Sequence, residues 1–314
     1  MTGQHLALPR PAGFSLAAGS RFVMNFAASQ GGEEAPALNL AFALDRTWQP
    51  VGVRLREDGD TISAQVVTNP TGAGDDAIRT NLIRILNLHV DSDPFVAIGG
   101  RDSVVEHLRR RYPGLRPVQF PTPWEAAAWA AIGHRIRITQ AATIKQHLSE
   151  QFGRRTAFPG GQVLDSFPGP ETVLGLTAVS GLPAREFETL TGIARAAVEG
   201  ALDSEHLLSM PPADASAELQ RLPGIGPFSA ELILVRGAGA PDLFPANEPR
   251  LARAMTALYG TDDPAEHQRI AQAWQPYRSW VALLIRRWLE DETHEIARGA
   301  TARDVPPPDF AKQK

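Results

Sequence analysis

Leu222-Pro-Gly-Ile-Gly226 joins two stretches of helical pattern, with glycines where the backbone must turn tightly or approach another surface. Asp214 is placed to cap the short first helix, which runs to about Arg221. Pro227 suits the first position of the second helix, because its missing N–H would be unpaired there in any case. Phe228, Leu232 and Val235, with Ile233 on the flank, then recur at helix spacing. Two helices joined this tightly leave amide groups pointing outward at a positive helix end, a geometry that holds one phosphate. A loop from 237 to 247 follows and ends in the carboxylate of Glu248, at the start of a helix running from Pro249 to about Tyr259. The chemistry in view is therefore a phosphate anchor followed in the chain by an acid.

Other chemistries are excluded by what is missing. Cysteine is absent, so there are no disulfides, thiolate nucleophiles or cysteine-bound metal centres. The eight histidines show no ligand spacing, and no metal site is expected. The lysines are Lys145, Lys312 and Lys314, so a long central stretch has no primary amine to act as a nucleophile. The net charge of −4 argues on its face against a nucleic-acid partner. Charge is uneven, however: from Arg101 to Arg155, ten basic residues face only Asp102, Glu106, Glu125 and Glu150. Solvated helix faces account for most of these, while a few could meet phosphates. No long apolar run implies a membrane span, and the first ten residues lack a signal-peptide pattern; a cytoplasmic protein is the expectation.

Three segments must position these groups. Residues 1–118 read as a small antiparallel sheet domain with helices. Leu38, Leu40, Phe42 and Leu44 alternate, as do Val51, Val53 and Leu55, and Asp58-Gly59 turns the chain before Ile62, Ala64 and Val66. Phe14 to Phe26 supplies a further strand or a short helix. Asp75 and Asp76 open a helix with the stripe Ile78, Leu82, Ile85 and Leu86, and a second helix spans Asp102 to Tyr112. Residues 119–299 read as helical. Thr122-Pro-Trp-Glu125 has the form of a capping box, Gly133 to Ile138 interrupts the pattern, and Thr139 is placed to cap the helix that follows. Residues 300–314 read as a disordered tail. The fold class is α+β.

The chain resembles the helix-hairpin-helix DNA glycosylases, and within them the 3-methyladenine glycosylase II group. The resemblance rests on Leu222-Pro-Gly-Ile-Gly226, Ala230, Arg236-Gly237, Asp242-Leu-Phe-Pro245 and Trp274-Gln-Pro-Tyr-Arg-Ser279, and extends more loosely from Phe120 to Leu289. It implies a two-lobed helical core beside the sheet domain. It also implies a monofunctional N-glycosylase of base excision repair, acting on damaged, alkylated purines flipped from double-stranded DNA, as a monomer with no cofactor. A structural Na⁺ or K⁺ at the hairpin carbonyls of residues 222–226 would fit the family.

Residue by residue, the resemblance makes Leu222, Pro223, Gly224, Ile225 and Gly226 the phosphate clamp. Glu248 falls where the family has an aspartate that stabilises the sugar cation. A second reading of Glu248 stays open, in which Asn247 caps the helix and Glu248 only favours its positive end. Asp242 is an alternative carboxylate that the resemblance leaves in a loop. His134 and Arg135 occupy the loop that fills the gap left by the flipped base. Phe228 stands where bifunctional relatives carry a lysine, which is why no lyase activity is expected. Trp124, Phe228 and Arg286 are the base-pocket candidates, with Trp129, Tyr277 and Trp280 as other available aromatics. Arg286 takes the place of a pocket tryptophan and would repel a cationic base. These departures leave a second function open, a weak or inactive DNA-damage binding protein that kept the clamp. A helical protein using the hairpin only for packing is the third.

Overall fold

The computed structural model describes residues 4–24, 33–34 and 37–298; the expected tail at 300–314 lies outside them. The chain opens with β1 (His5–Pro9), α1 (Leu16–Met24), β2 (Glu33–Glu34), β3 (Ala37–Ala43), β4 (Pro50–Asp58) and β5 (Thr61–Thr68), followed by α2 (Asp75–Ile85), α3 (Asp93–Ile98) and α4 (Ser103–Arg111). The strands form one antiparallel sheet in the order β1-β5-β4-β3-β2. The 14–26 segment resolves as the helix α1 over its described part, and β1 is a strand that the sequence pattern did not announce. Strand β3 is buried along most of its length rather than on alternate residues. Asn39 donates to Gln162 at 2.7 Å and Arg54 to the Pro159 carbonyl, so helical-domain residues cover the sheet's second face.

The helical region begins with α5 (Pro123–Ile132) and α6 (Ile138–Phe152), a small hairpin of β6 (Arg155–Ala157) and β7 (Val163–Asp165), and α7 (Pro170–Leu174). Then come α8 (Ala184–Val198), α9 (Ser204–Ser209), α10 (Pro212–Leu219) and α11 (Pro227–Leu232), which widens into a π-helical turn over Ile233–Ala238. The chain continues with α12 (Pro249–Tyr259), α13 (Pro264–Gln272), α14 (Arg278–Thr293) and α15 (Glu295–Arg298). Thr122 caps α5, its hydroxyl accepting from the Glu125 amide at 3.0 Å. Glu125 does not complete the box; its carboxylate instead takes Lys145 Nζ at 2.8 Å inside the core. Thr139 lies within α6, whose cap position is Arg137.

Three hydrophobic clusters organise the molecule. One fills the sheet side with Leu38, Phe42, Val53, Ile62, Ile78 and Leu82. A second joins α5 and α6 to α8–α11 through residues such as Trp124, Ala127, Leu190, Ile193 and Ile233. The third packs Phe95, Ile98, Val105 and Leu108 against Met255, Trp274, Trp280 and Trp288. Thus α3 and α4, which precede residue 118 in sequence, pack with α12–α14 rather than with the strands. The apolar side chains of these two short helices complete the core of the C-terminal lobe. The two helical lobes face each other across a crevice.

Candidate active site

Helices α10 and α11 meet in the turn 222–226, seated on α8. Gly224 has φ +71°, which suits glycine, and a Cβ there would stand 2.6 Å from Thr189 Cγ2. On the other side Pro223 lies so close to Gly192 that a Cβ at 192 would meet its Cγ at 2.6 Å. Ile225 is the buried plug, and its amide donates to the Leu222 carbonyl at 3.2 Å. Gly224 and Gly226 are exposed, and neither amide has an intrachain partner among the described residues. Pro227 opens α11 as its spacing predicts. Asp214 lies inside the first turn of α10, so it is not the cap; Pro211 holds that position.

A cavity of 770 Å³ opens in the crevice beyond this turn. Its wall takes Trp129, Gly133, Ile136 and Ile138 from α5, α6 and the segment between them, and Phe228, Glu231, Val235 and Arg236 from α11 and the π turn. Asn247, Glu248, Ser279, Leu283 and Arg286 close the C-terminal side. The π turn brings its own side chains to the cavity because Gly237 lets it sit directly on α5. A Cβ at 237 would be 2.9 Å from both Ala126 Cβ and Pro123 Cα.

Glu248 is itself the cap of α12. Its carboxylate accepts the Arg250 amide at 3.1 Å and the Leu251 amide at 2.9 Å. This corrects the second reading of Glu248, in which Asn247 caps the helix: the Asn247 side chain is engaged elsewhere. Both its amide groups donate to Glu231, the side chain at 2.7 Å and the backbone at 2.9 Å. Arg286 Nε forms an ion pair with Glu248 Oε2 at 2.5 Å. The site therefore holds a carboxylate fixed from two sides, by helix amides and by a guanidinium.

Glu231 was missed in the sequence. It is buried and lines the cavity; burial pushes its carboxyl above the usual range, with Glu248 adding to the shift and the Asn247 bonds opposing it. Its only signal was a charged residue amid the apolar positions of a helix. Arg236 was quoted only as part of a motif. Burial and the nearby Arg286 push its guanidinium down, while it donates to the Val118 carbonyl at 2.7 Å. Arg286 is pushed down by burial too, with Glu248 opposing.

The other candidates divide. Trp124 is not a pocket residue: it is buried in the N-terminal lobe, its indole donating to the Pro168 carbonyl at 3.0 Å and its ring 6.0 Å from Phe167. Trp124 and Trp129 are five positions apart on α5 and so point to different faces of the helix, and Trp129 lines the cavity instead. Tyr277 and Trp280 are core residues around Phe95. Phe228 lines the cavity and is 42% exposed, unusual for a side chain of this size. Arg135 stands at the exposed tip of the loop beside Gly133 with φ +58°, and forms no ion pair among the described residues. His134 Nδ1 is 3.8 Å from Glu186. Asp242 pairs with Arg278 at 2.8 Å and stays in its loop. Among the described residues no group of three or more His, Asp or Glu could hold a metal ion. No helix there is long and apolar enough to cross a membrane.

No family model matches the chain. It is 27% identical over 198 residues to the DNA-3-methyladenine glycosylase of Bacillus subtilis (strain 168), covering 62% of this chain and 65% of that one. It is 28% identical over 192 residues to DNA-3-methyladenine glycosylase 2 of Escherichia coli (strain K12), covering 57% and 64%. The chain thus spans somewhat less than two thirds of these relatives' own length. Among solved structures it is similar to 3-methyladenine DNA-glycosylase from Archaeoglobus fulgidus, with a TM-score of 0.74 and 21% identity over 91% of this chain and 98% of that one.

Proposed function

We infer, from the premise that this chain belongs to the helix-hairpin-helix DNA glycosylase superfamily, that it is a monofunctional DNA N-glycosylase of base excision repair. It acts as a cytoplasmic monomer on double-stranded DNA, hydrolysing the N-glycosidic bond of damaged, alkylated purines. Breaking that bond leaves positive charge on the deoxyribose, and a fixed carboxylate beside the sugar stabilises it and orients the attacking water. The damaged nucleotide must first leave the stack, at a cost of a few kcal/mol, so the protein needs a backbone grip, a gap filler and a pocket.

The observation that carries the reading is Glu248 on the wall of a 770 Å³ cavity one helix away from the glycine turn. That volume falls within the range of about 300–1,000 Å³ usual for ligand sites. In this reading the amides of Gly224 and Gly226, in the turn from Leu222 to Gly226, hold a phosphate. Arg135, with His134 beside it, enters the gap in the duplex; Phe228 and Trp129 face the extruded base; and Glu248 faces the sugar. Base removal proceeds without strand cleavage, because Phe228 offers no amine. Lys145, the sole lysine among the described residues, is sealed against Glu125 and Phe167.

The test is single-turnover release of alkylated purines from duplex DNA by enzyme in molar excess. Release is expected, with Glu248→Gln slower by about 10²–10³-fold, the usual scale for losing one electrostatic stabiliser. Borohydride is expected to trap no covalent adduct. A lesion panel with no release, or equal release by the glutamine variant, would overturn the reading.

A further inference from the structure

The polar groups around the cavity differ in what they still have to offer. The three acids on the wall are all engaged: Glu248 by two helix amides and Arg286, Glu231 by both amide groups of Asn247, and Glu290 by the Ile296 amide. Arg286 meets Glu248 through Nε, and its two terminal nitrogens donate no hydrogen bond among the described residues. Arg236 lines the same cavity close enough to Arg286 for the two cations to repel. A base entering here meets the terminal nitrogens of Arg286, donors that carry positive charge, and carboxylates that are already hydrogen-bonded. Such a wall rewards a ligand with a free acceptor and penalises one with a fixed positive charge.

Resting on the glycosylase reading, we propose that Arg286 is a specificity-determining residue. It makes the preferred substrates neutral alkylated purines, which present a ring-nitrogen or keto-oxygen acceptor, over purines bearing a fixed cation. The two classes also differ in what departs. As the C1′–N bond breaks, its electron pair goes to the base. A cationic base thereby becomes neutral and needs no help, whereas a neutral base becomes an anion. Hydrogen bonds from the terminal nitrogens of Arg286 stabilise that anion as it forms. Water then adds its oxygen to C1′; its proton passes to the Glu248 carboxylate and from there to the departed base. The net change is one water consumed, one free base and one abasic sugar formed.

The probes are two duplexes, one carrying 1,N6-ethenoadenine and the other 7-methylguanine, each measured with excess enzyme and corrected for loss without it. Wild type is expected to accelerate ethenoadenine release over 7-methylguanine release by about tenfold or more, a modest share of what like charges a few ångströms apart exert. Arg286→Gln should bring that ratio close to one, and Arg286→Lys, which keeps the charge, should retain most of it. An arginine that merely holds Glu248 in place would slow both lesions alike and leave the ratio unchanged. Equal or faster acceleration on 7-methylguanine by wild type, or an unchanged ratio in the glutamine variant, overturns the inference. If neither base is released by wild type, the glycosylase reading itself fails and this inference goes with it.

Discussion

Each helical lobe contains a glutamate paired with a cation, and the two pairs are placed for opposite ends. In the N-terminal lobe Glu125 on α5 takes Lys145 on α6 at 2.8 Å, with side chains only 9% and 6% exposed. The ammonium also lies 5.2 Å from the centre of the Phe167 ring. In the crevice Glu248 takes Arg286 at 2.5 Å, with side chains 18% and 21% exposed and a cavity beside them. Among the described residues neither side chain of the sealed pair makes another ion pair or hydrogen bond, so removing either half strands a charge in the core. The open pair borders a cavity, and its acid keeps two helix amides whatever the arginine does. Full burial turns one ion pair into a fastening, while the cavity beside the half-buried other leaves it room to trade partners.

The largest expected effect falls on the sealed pair. Glu125→Ala should lose about 3–5 kcal/mol of unfolding free energy, the scale for breaking a buried pair by deleting one partner. Arg286→Gln should lose less, about 1–3 kcal/mol, because the half-buried Glu248 left behind keeps its two helix amides. Urea denaturation of the two variants decides this. Equal losses would break the comparison, because the crevice pair would then be a fastening as well.

Glycines sharpen the same contrast. Gly237→Ala presses a methyl against Ala126 and Pro123 in the sealed lobe and should cost about 1–3 kcal/mol through overpacking. At Gly226 an added Cβ meets nothing within 4 Å and the backbone has φ −95°. Gly226→Ala should therefore stay within about 0.5 kcal/mol of wild type. Thermal or urea unfolding of this pair gives the answer. A costly Gly226→Ala would mean that the glycine turn is packed rather than open.

What could be read in advance follows from the range over which each signal acts. Alternation from Leu38 to Val66 and the stripe Ile78, Leu82 and Ile85 announced the sheet and α2, because those periods are local. Strand β1 escaped because five residues ending in Pro9 carry little pattern, and α3 because six residues barely make a helix. The union of α3 and α4 with α12–α14 depends on contacts between residues such as Phe95 and Trp280, far apart in the chain, which no local period records. In the site, the glycine turn and Pro227 were legible from backbone chemistry alone. The Glu248 cap ran against residue preference because Asn247, the better capping type, was already claimed by Glu231. That competition is visible only once α11 and the loop before α12 are side by side.

The smallest expected effect concerns that same Glu231, the acid whose burial resembles the sealed pair and whose position belongs to the open one. Burial raises its carboxyl above the ordinary value of 4.5, so the folded chain holds this proton to higher pH than the unfolded chain does. Between those two values the native state binds more protons, and stability must fall as pH rises. Relative to Glu231→Gln, wild type should therefore lose stability from about the ordinary glutamate range upward and level off above the raised value. The slope cannot exceed about 1.4 kcal/mol per pH unit for one group. Taking the difference between the two proteins cancels the titrating residues that do not feel the charge of Glu231, leaving Glu231 and its neighbour Glu248. A difference that is flat, or that grows with pH, would show that the Asn247 bonds outweigh burial. Glu231 would then be an ordinary ionised anchor rather than a strained acid at the crevice wall.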